Sequence, residues 1–376
     1  MLIKKVDALS VAYPESNDDN HTRFLTICRI ETKDGVIGWG EAIPMSGTGF
    51  PEACRATEEI IKGVSDLLVG RDPLDNIEIF NTLQQRMWWY GTEGIASFAL
   101  SAIDIALWDL KGKILSTPVI DLIGGDSTKT FPVIAATHAT LSDTKKEAVR
   151  HGKIIDKGFK GVKVGLSERS GGLGVDVNKD IKFFQYLREE CGDSAFLAID
   201  RASRALVWNY NDAEERVRNF EEIGIDWIEE PFEPAEVKNF VKLKKRTKTL
   251  IAAGEREWNI KAFTWLVEQN YVDIVGYDPA KSGGLTGFLK VISLVEEKGL
   301  LINAHTWSSA INTAVSLAAY GTTNNTLVFE LKPEPNPMQH EIVETPLWHK
   351  DGYISIPNTP GLGIDIKESV INKYKF

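Results

Sequence analysis

The middle of the chain repeats one pattern: a short apolar run, then a longer segment in which apolar residues recur at helical spacing. Between about residues 131 and 329 the apolar runs end at or near Thr137, Lys163, Asp200, Glu229, Glu255, Asp278, His305 and Glu330. The segments 212–223 and 285–298 show the helical spacing most clearly. Short apolar runs separated by helices are typical of buried parallel strands. The pattern therefore predicts a (β/α) barrel with seven or eight strands.

A doubly wound parallel sheet is the alternative for such a strand–helix repeat. That fold normally carries a glycine-rich nucleotide-binding loop after its first strand, and the sequence has no such loop. We therefore favour the barrel.

The first 125 residues follow a different pattern, typical of an α+β domain. Strands are predicted at 24–31 and 36–39, on either side of a turn at 33–35. An apolar stripe at steps of three and four residues predicts a helix that ends before Pro118. The stripe consists of Leu100, Ile103, Leu107, Leu110 and Ile114.

The domain boundaries follow from these changes of pattern. We predict an α+β capping domain in residues 1–125 and a barrel in residues 126–344. Short strands and turns return after the barrel, so we expect residues 345–376 to fold back onto the cap. Two segments of the cap, 14–22 and 45–51, are predicted to be loops, and the first is so polar that we expect it to be exposed and to act as a lid.

Composition and charge exclude several classes of protein. Of the 376 residues 43% are hydrophobic and 26% are charged, as in an ordinary globular protein. The net charge of −10 argues against a nucleic-acid partner, because binding to phosphates needs a basic surface. No apolar run is long enough to span a membrane, and we expect no signal peptide. The three cysteines show no paired spacing, which indicates reduced thiols and a cytoplasmic protein.

Three acidic residues stand at the ends of three successive predicted strands: Asp200, Glu229 and Glu255. Each one, taken singly, is more often a helix cap or a salt-bridge partner than a metal ligand. Barrel strands converge at their carboxyl ends, where three carboxylates would repel each other without a cation. Oxygen ligands without cysteine or histidine favour Mg²⁺, with Mn²⁺ as the second candidate. Alternation alone does not decide whether Glu229 or Glu230 points inward.

Four other residues at predicted strand ends suit proton transfer or anion binding. Lys163 could hold a carboxylate, or act as a base if burial lowers its pKa, although a surface lysine is the commoner case. Asp278 and His305 lie on neighbouring strands, where the carboxylate can orient the imidazole. A cap and a core histidine are the alternatives for these two. Glu330 could bind the substrate or form a salt bridge at the rim.

These residues, together with several motifs, resemble the enolase superfamily and specifically its mandelate racemase branch. Each motif is weak alone, but jointly they are highly specific and cover nearly the whole chain. The motifs are Gly38-Trp39-Gly40-Glu41-Ala42, Ala102-Ile103-Asp104-Ile105-Ala106-Leu107-Trp108-Asp109, Gly112-Lys113, Trp227-Ile228-Glu229-Glu230-Pro231, Gly254-Glu255, Gly283-Gly284 and Pro360-Gly361-Leu362-Gly363.

The resemblance implies a (β/α)7β-type TIM barrel with an α+β capping domain whose loops act as lids. It also implies that the first Glu of the Glu-Glu-Pro motif is a metal ligand, which selects Glu229 beside Asp200 and Glu255. In this superfamily a Lys or His base removes the proton α to a carboxylate, and Mg²⁺ stabilises the resulting enediolate. The family also suggests a homo-oligomer, either a dimer or an octamer. Further candidates for substrate contacts are His21, Arg201 and Arg256.

The chain departs from the family at the second barrel strand. The family often has Lys-x-Lys there, and in this chain Lys163 matches the first lysine while Gly165 takes the place of the second. The first lysine usually neutralises the substrate carboxylate, and the second is the base on that face. On this alignment His305 with Asp278 must carry the proton chemistry. A shift of one step would instead put Gly161 at the first position.

We therefore expect a Mg²⁺-dependent dehydratase that converts an aldonate or aldarate into a 2-keto-3-deoxy acid. His305 would remove the α-proton and protonate the departing β-hydroxyl, and Lys163 would hold the carboxylate. The first alternative is a racemase or epimerase of a 2-hydroxy acid that uses both residues as bases. A non-catalytic acid-binding relative stays open. A muconate-type cycloisomerase is disfavoured, because Asp278 stands where that enzyme would have a lysine and Lys281 lies three residues beyond.

Overall fold

The chain forms a small antiparallel sheet with helices, followed by a parallel barrel. The computed structural model describes residues 1–44, 50–166, 171–201 and 208–376. Residues 45–49 of the second predicted lid lie outside the described residues. The strands are β1 Ile3–Glu15, β2 His21–Thr32, β3 Ile37–Ala42, β4 Thr130–His138, β5 Gly161–Gly165, β6 Phe196–Asp200, β7 Trp227–Glu229, β8 Leu250–Ala253, β9 Ile274–Tyr277, β10 Leu301–Ala304, β11 Phe329–Leu331 and β12 Tyr353–Ser355. The α-helices are α1 Pro51–Val64, α2 Asn76–Met87, α3 Ile95–Ile114, α4 Val119–Leu122, α5 Thr144–Ile155, α6 Val177–Cys191, α7 Tyr210–Ile223, α8 Val237–Lys244, α9 Ile260–Gln269, α10 Gly284–Glu297, α11 Ala310–Tyr320 and α12 Glu368–Tyr374.

The predicted barrel is confirmed. Strands β4 to β11 form one parallel sheet in the order β10-β9-β8-β7-β6-β5-β4-β11, and a helix connects each strand to the next along the chain. At the seam between β10 and β11, Asn303 Nδ2 donates a 2.6 Å hydrogen bond to Glu330 Oε1. Eight strands with seven intervening helices constitute a (β/α)7β barrel.

Alternation along the barrel strands separates an inner face from an outer face. The outward residues pack beneath the surrounding helices in the main core, whereas a separate apolar cluster fills the inside of the barrel. The buried members of this inner cluster are Ile134, Ala198, Trp227, Ala252, Ile274 and Val328. Side chains two positions further along the same faces point into the mouth of the barrel.

Helix α3 of the cap is the helix predicted from the apolar stripe, but it is buried on more than one side. Sixteen of its twenty residues are buried, because the helix lies between the cap sheet and α10 of the barrel. Glycines at 38 and 40 of β3 allow the close approach, since a Cβ at Gly40 would collide with the carbonyl oxygen of Ala102. The Gly-Trp-Gly motif thus joins the sheet to the helix.

The polar segment 14–22 is a tight hairpin, and the expectation of an exposed loop is wrong for part of it. Strand β1 continues to Glu15, which is fully buried and binds Lys332 Nζ at 2.6 Å. Asn17 Nδ2 also donates to the carbonyl oxygen of Glu334 at 2.8 Å. Burial of this polar segment is favourable because the barrel supplies a buried partner for its charge. That partner lies far away in the sequence, so the pattern of residues in the cap does not reveal it.

The C-terminal tail contacts both parts of the chain. Strand β12 pairs with β4 of the barrel, and Lys375 forms a bridge with Val11 of β1. The division at residues 125 and 344 stays a prediction. The structure places the three cysteines as free, buried thiols. In the part of the chain that the structure describes, no helix is long and apolar enough to cross a membrane.

Candidate active site

Three carboxylates meet at the mouth of the barrel. Asp200 ends β6, Glu229 ends β7 and Glu255 lies two residues beyond β8. One oxygen atom of each lies within 4.8 Å of the others. Asp200 and Glu229 are buried and Glu255 is partly exposed. The structure thus brings together the three residues predicted as metal ligands.

Backbone geometry at the strand ends directs these carboxylates. Gly254, just before Glu255, has a φ of +139°, a conformation that favours glycine, and a Cβ there would collide with the carbonyl oxygen of Gly276. Glu230 has a φ of +48°, which costs a non-glycine residue about 1–2 kcal/mol. This turn separates Glu229, which stays on the inner face of β7, from Glu230, whose side chain binds Arg256.

The side chain of Lys163 lies inside the mouth, in the middle of β5. It is 4% exposed, so the alternative of a surface lysine is wrong. Its Nζ is 2.7 Å from Glu229 Oε2, 2.9 Å from Glu330 Oε1 and 3.6 Å from Asp200 Oδ2. Burial works to lower the pKa of Lys163, but the surrounding carboxylates raise it well above its ordinary value. Burial alone therefore does not turn this lysine into a base.

His305 and Asp278 form a hydrogen-bonded pair just beyond β10 and β9. His305 Nδ1 lies 2.7 Å from Asp278 Oδ2, and its Nε2 lies 3.5 Å from Glu255 Oε2. Asp278 is itself held by the backbone N–H of Ala280 and by Asn312 Nδ2. Burial would lower the pKa of His305, but Glu255 and Asp278 raise it to about 9. The pair orients the imidazole with Nε2 towards the carboxylate cluster.

The cluster carries more negative charge than its protein neighbours neutralise. Burial, followed by the charge of Glu229, raises the pKa of Asp200 well above its ordinary value. Burial raises the pKa of Glu229 to about 7, although the Lys163 ammonium opposes the shift. Burial also acts to raise the pKa of Glu255, but the charges of His305 and Lys163 hold it below its ordinary value.

The donor set of this cluster fits a hard divalent cation. All three candidate ligands offer carboxylate oxygens, which Mg²⁺ prefers. Among the described residues, Asp200 Oδ1 is buried and has no hydrogen-bond partner. A buried carboxylate oxygen without a partner is costly unless a cation or donor occupies the adjacent space.

A second charged cluster lies beside the first and contains two of the predicted substrate contacts. Arg201 Nη2 binds Glu233 Oε1 at 3.0 Å, and Arg256 Nη1 binds Glu233 Oε2 at 2.7 Å. Arg201 Nε also donates to the carbonyl oxygen of Glu230 at 2.7 Å. His21 lies elsewhere, at the hairpin of the cap, with its Nδ1 2.7 Å from the carbonyl oxygen of Asp18. The structure does not bring these three candidates together, and their contact with substrate stays a prediction.

Sequence reasoning missed His138, the last residue of β4. The apolar run was predicted to end near Thr137, one residue earlier. Alternation from Ile134, an inner residue of the barrel, would have placed His138 on the inner face. Its ring lies against Trp307, with the ring centroids 4.9 Å apart.

Two family models match the chain. Residues 13–124 match the mandelate racemase / muconate lactonizing enzyme N-terminal domain, and residues 145–370 match the enolase C-terminal domain-like family. Together the two models cover most of the cap and the barrel.

Individual proteins of three reaction classes are similar to this chain over nearly their full lengths. Arabinonate dehydratase of Saccharolobus solfataricus is 26% identical, covering 100% of this chain and 99% of its own. D-galactarolactone cycloisomerase of Agrobacterium fabrum is 27% identical, and the match covers 94% of this chain and 92% of that protein. A solved racemase of Streptomyces coelicolor with bound magnesium has a TM-score of 0.84 at 25% identity, covering 100% of both chains.

Proposed function

Because this chain belongs to the enolase superfamily, in its mandelate racemase / muconate lactonizing enzyme family, we propose that it is a Mg²⁺-dependent acid-sugar dehydratase. Its substrate is an aldonate or aldarate and its product a 2-keto-3-deoxy acid. One observation carries the proposal: the His305–Asp278 pair faces the three-carboxylate cluster, with His305 Nε2 3.5 Å from Glu255 Oε2. A candidate base is thereby held beside the carboxylates that would hold the metal.

Asp200, Glu229 and Glu255 are the residues that would hold Mg²⁺. When bound, the ion would neutralise the charge that develops on the substrate carboxylate as the α-proton leaves. Mn²⁺ offers the same oxygen-based coordination and is the second candidate. A solved relative with bound magnesium supports the assignment.

The proton chemistry is assigned to His305. In the neutral imidazole the Nδ1 proton is held by Asp278, so Nε2 is the atom that accepts the α-proton, and a cation bound by Glu255 would offset the negative charge that raises the pKa of His305. Lys163 contributes a positive charge that holds the substrate carboxylate. Glu330 binds Lys163 Nζ and Asn303. It would therefore position the ammonium group of Lys163, in addition to any direct contact with the substrate.

A cycloisomerase of cyclic sugar acids is the second candidate, because a relative of that name covers 94% of this chain. Dehydration and ring opening begin with the same α-proton removal and differ in the β-oxygen that leaves, a hydroxyl or a ring oxygen. The lysine of muconate-type enzymes is not needed for such an elimination. A racemase or epimerase that pairs Lys163 with His305 is less favoured, because the ammonium of Lys163 is held by three carboxylates.

The remaining proposals concern the setting of the enzyme. We propose a small sugar-acid carboxylate as its binding partner and the cytoplasm as its location, which three free thiols support. A homo-oligomer, dimer or octamer, is proposed from the family. The net charge of −10 does not favour nucleic acid.

The test is a screen of mono- and diacid sugars and their lactones with Mg²⁺, in which semicarbazone formation detects 2-keto acids. We expect product from one stereochemical set of acids. His305→Asn should abolish both α-proton exchange in D₂O and product formation, whereas Lys163→Ala should mainly raise KM. Epimerised substrate without keto product would instead identify a racemase or epimerase. An enzyme that consumes only lactones or anhydro acids would be a cycloisomerase.

A further inference from the structure

The inner face of β5 lacks a side chain where the family places its second lysine, and a histidine of the neighbouring strand fills the space. His138 is paired in register with Gly165. A Cβ built on Gly165 would stand 2.7 Å from His138 Cδ2 and 3.2 Å from Nε2. Any side chain at position 165 would therefore displace this imidazole. The position of the His138 ring therefore depends on the absence of a side chain at position 165.

The register of the strands puts His138 in the row of the candidate metal ligands. His138 pairs with Gly165, Gly165 with Asp200, and Asp200 with Glu229. Ile134 and Ala198 of the inner cluster lie on the same faces of their strands as His138 and Asp200. The imidazole therefore points into the mouth rather than under the helices.

In the closed barrel the two histidines stand on either side of β11, across the mouth from the carboxylate cluster. The candidate ligands lie on β6, on β7 and after β8, so the cluster is centred on β7. His138 ends β4, three strands to one side of β7. His305 follows β10, three strands to the other side, and because the barrel closes between β10 and β11, only β11 separates β10 from β4. Both imidazoles would therefore face a substrate held at the cluster from across the mouth.

The His138 ring is held in place by Trp307. The two ring centroids are 4.9 Å apart at an angle of 79°. The cations of Arg23 and Lys332 lie 5.4 Å and 5.2 Å from the centroid of the indole ring. Through Trp307, these contacts link His138 to Arg23 at the start of β2 in the cap and to Lys332, the partner of Glu15.

We propose that His138 is a second proton carrier of the active site, which takes over from β4 the position that the family gives to a lysine of β5. The inference rests on the proposed function and sharpens it, because it divides between two histidines the steps otherwise assigned to His305 alone. His305 accepts the α-proton, and His138 protonates the leaving oxygen on the β-carbon.

The steps balance as a dehydration. The α C–H bond breaks and its proton passes to His305 Nε2, while the electron pair forms the new C=C bond. The C–O bond at the β-carbon breaks, and the oxygen leaves as water with the proton that His138 supplies. The enol then takes a proton on carbon 3 and releases the one on its oxygen. Solvent returns both histidines to their starting states, so the acid gives keto acid and water.

The experiment compares His138→Asn with His305→Asn in the Mg²⁺-loaded enzyme, on an acid that the screen identifies. Keto product and α-proton exchange in D₂O are measured separately. We expect His138→Asn to lose at least about a hundredfold in dehydration while it keeps α-proton exchange within about tenfold. His305→Asn should lose both. His349 lies outside the mouth and supplies the matched control. His349→Asn should keep both the dehydration rate and the α-proton exchange rate within about twofold of the wild type.

Circular dichroism and the Mg²⁺-induced rise in Tm show whether each variant is folded, and His138→Gln provides a second variant if Asn is not tolerated. Dehydration by a folded His138 variant within about threefold of the wild type would overturn the inference and leave the proposed function intact. Equal loss of exchange and dehydration would also overturn it, because His138 would then serve binding.

The dehydratase assignment and the proton-transfer role of His138 can be refuted independently of each other. If the wild type epimerises acids without forming keto product, the dehydratase assignment is wrong. A second proton carrier then predicts that His138→Asn exchanges the α-proton of one epimer only. Exchange of both epimers by that variant would exclude a role for His138 in proton transfer.

Discussion

Glu229 and Glu230 are neighbours in the sequence and enter two different charged clusters. The mouth cluster, defined as Lys163, Asp200, Glu229, Glu255 and Glu330, sets four carboxylates against one ammonium group. The paired cluster, defined as Arg201, Glu230, Glu233 and Arg256, sets two carboxylates against two guanidinium groups.

The two clusters differ in charge balance. This difference indicates that the mouth cluster is a ligand-binding site and the paired cluster a structural network. In the paired cluster the two carboxylates are matched by two guanidinium groups that contact them, so the cluster needs no cation to balance its charge. Each cluster has one buried carboxylate oxygen without a hydrogen-bond partner among the residues described, Asp200 Oδ1 and Glu230 Oε1, but only the mouth cluster has an excess of buried negative charge. Such an excess becomes favourable when a divalent cation binds. Charge balance therefore distinguishes two clusters whose residue types are similar.

Replacing each of the two neighbouring glutamates by glutamine, in separate variants, tests this distinction most strongly. Glu229→Gln should reduce kcat/KM for the sugar acid by about a thousandfold, about 4 kcal/mol, because a candidate metal ligand is lost. Glu230→Gln should lose less than about tenfold, since Gln keeps an acceptor oxygen for Arg256. Steady-state kinetics at saturating Mg²⁺ measures both. Equal losses would show that the paired cluster also belongs to the reaction.

Removal of the metal should give the next largest effect. Mg²⁺ at about a hundredfold excess over its Kd should stabilise the folded wild type by about 2.7 kcal/mol, because the ion binds only the folded cluster. Thermal unfolding with EDTA and with Mg²⁺ detects this as a rise in Tm. We expect no rise for Glu229→Gln and a normal rise for Glu230→Gln. A wild-type Tm that Mg²⁺ does not change would contradict the assignment of the mouth cluster.

The smallest effect is expected within the paired cluster. Glu233→Gln weakens ion pairs with Arg201 and Arg256, but the Glu233 side chain is 43% exposed. Solvent screens such pairs, so the free energy of unfolding should fall by about 0.5–1 kcal/mol, with kcat unchanged. Urea denaturation measures the change through the midpoint. Glu59→Gln, which weakens an exposed pair with Lys62, is the control and should change the midpoint less.

Most of the barrel, and the three carboxylates at its mouth, could be predicted from the sequence. Strand–helix alternation is a local property, and parallel strands of a barrel converge at their carboxyl ends whatever the details of packing. The structure also brings His305 and Asp278 together, 2.7 Å apart, because the strands that carry them are neighbours in the barrel. The burial of Glu15 within the segment 14–22 could not be predicted, because its buried partner Lys332 lies more than 300 residues away.

The sequence by itself determined the (β/α) order, the acidic strand ends and the absence of a lysine at position 165, since each is a matter of residue type and spacing. The tertiary structure decided which of Glu229 and Glu230 enters the mouth, because it places Trp227 in the inner cluster, so that alternation along β7 puts Glu229 inward, and the positive φ at Glu230 turns the chain where β7 ends. It also decided what fills the space above Gly165. The imidazole of His138 comes from an adjacent strand, and contacts between strands depend on register, which spacing along one strand does not specify.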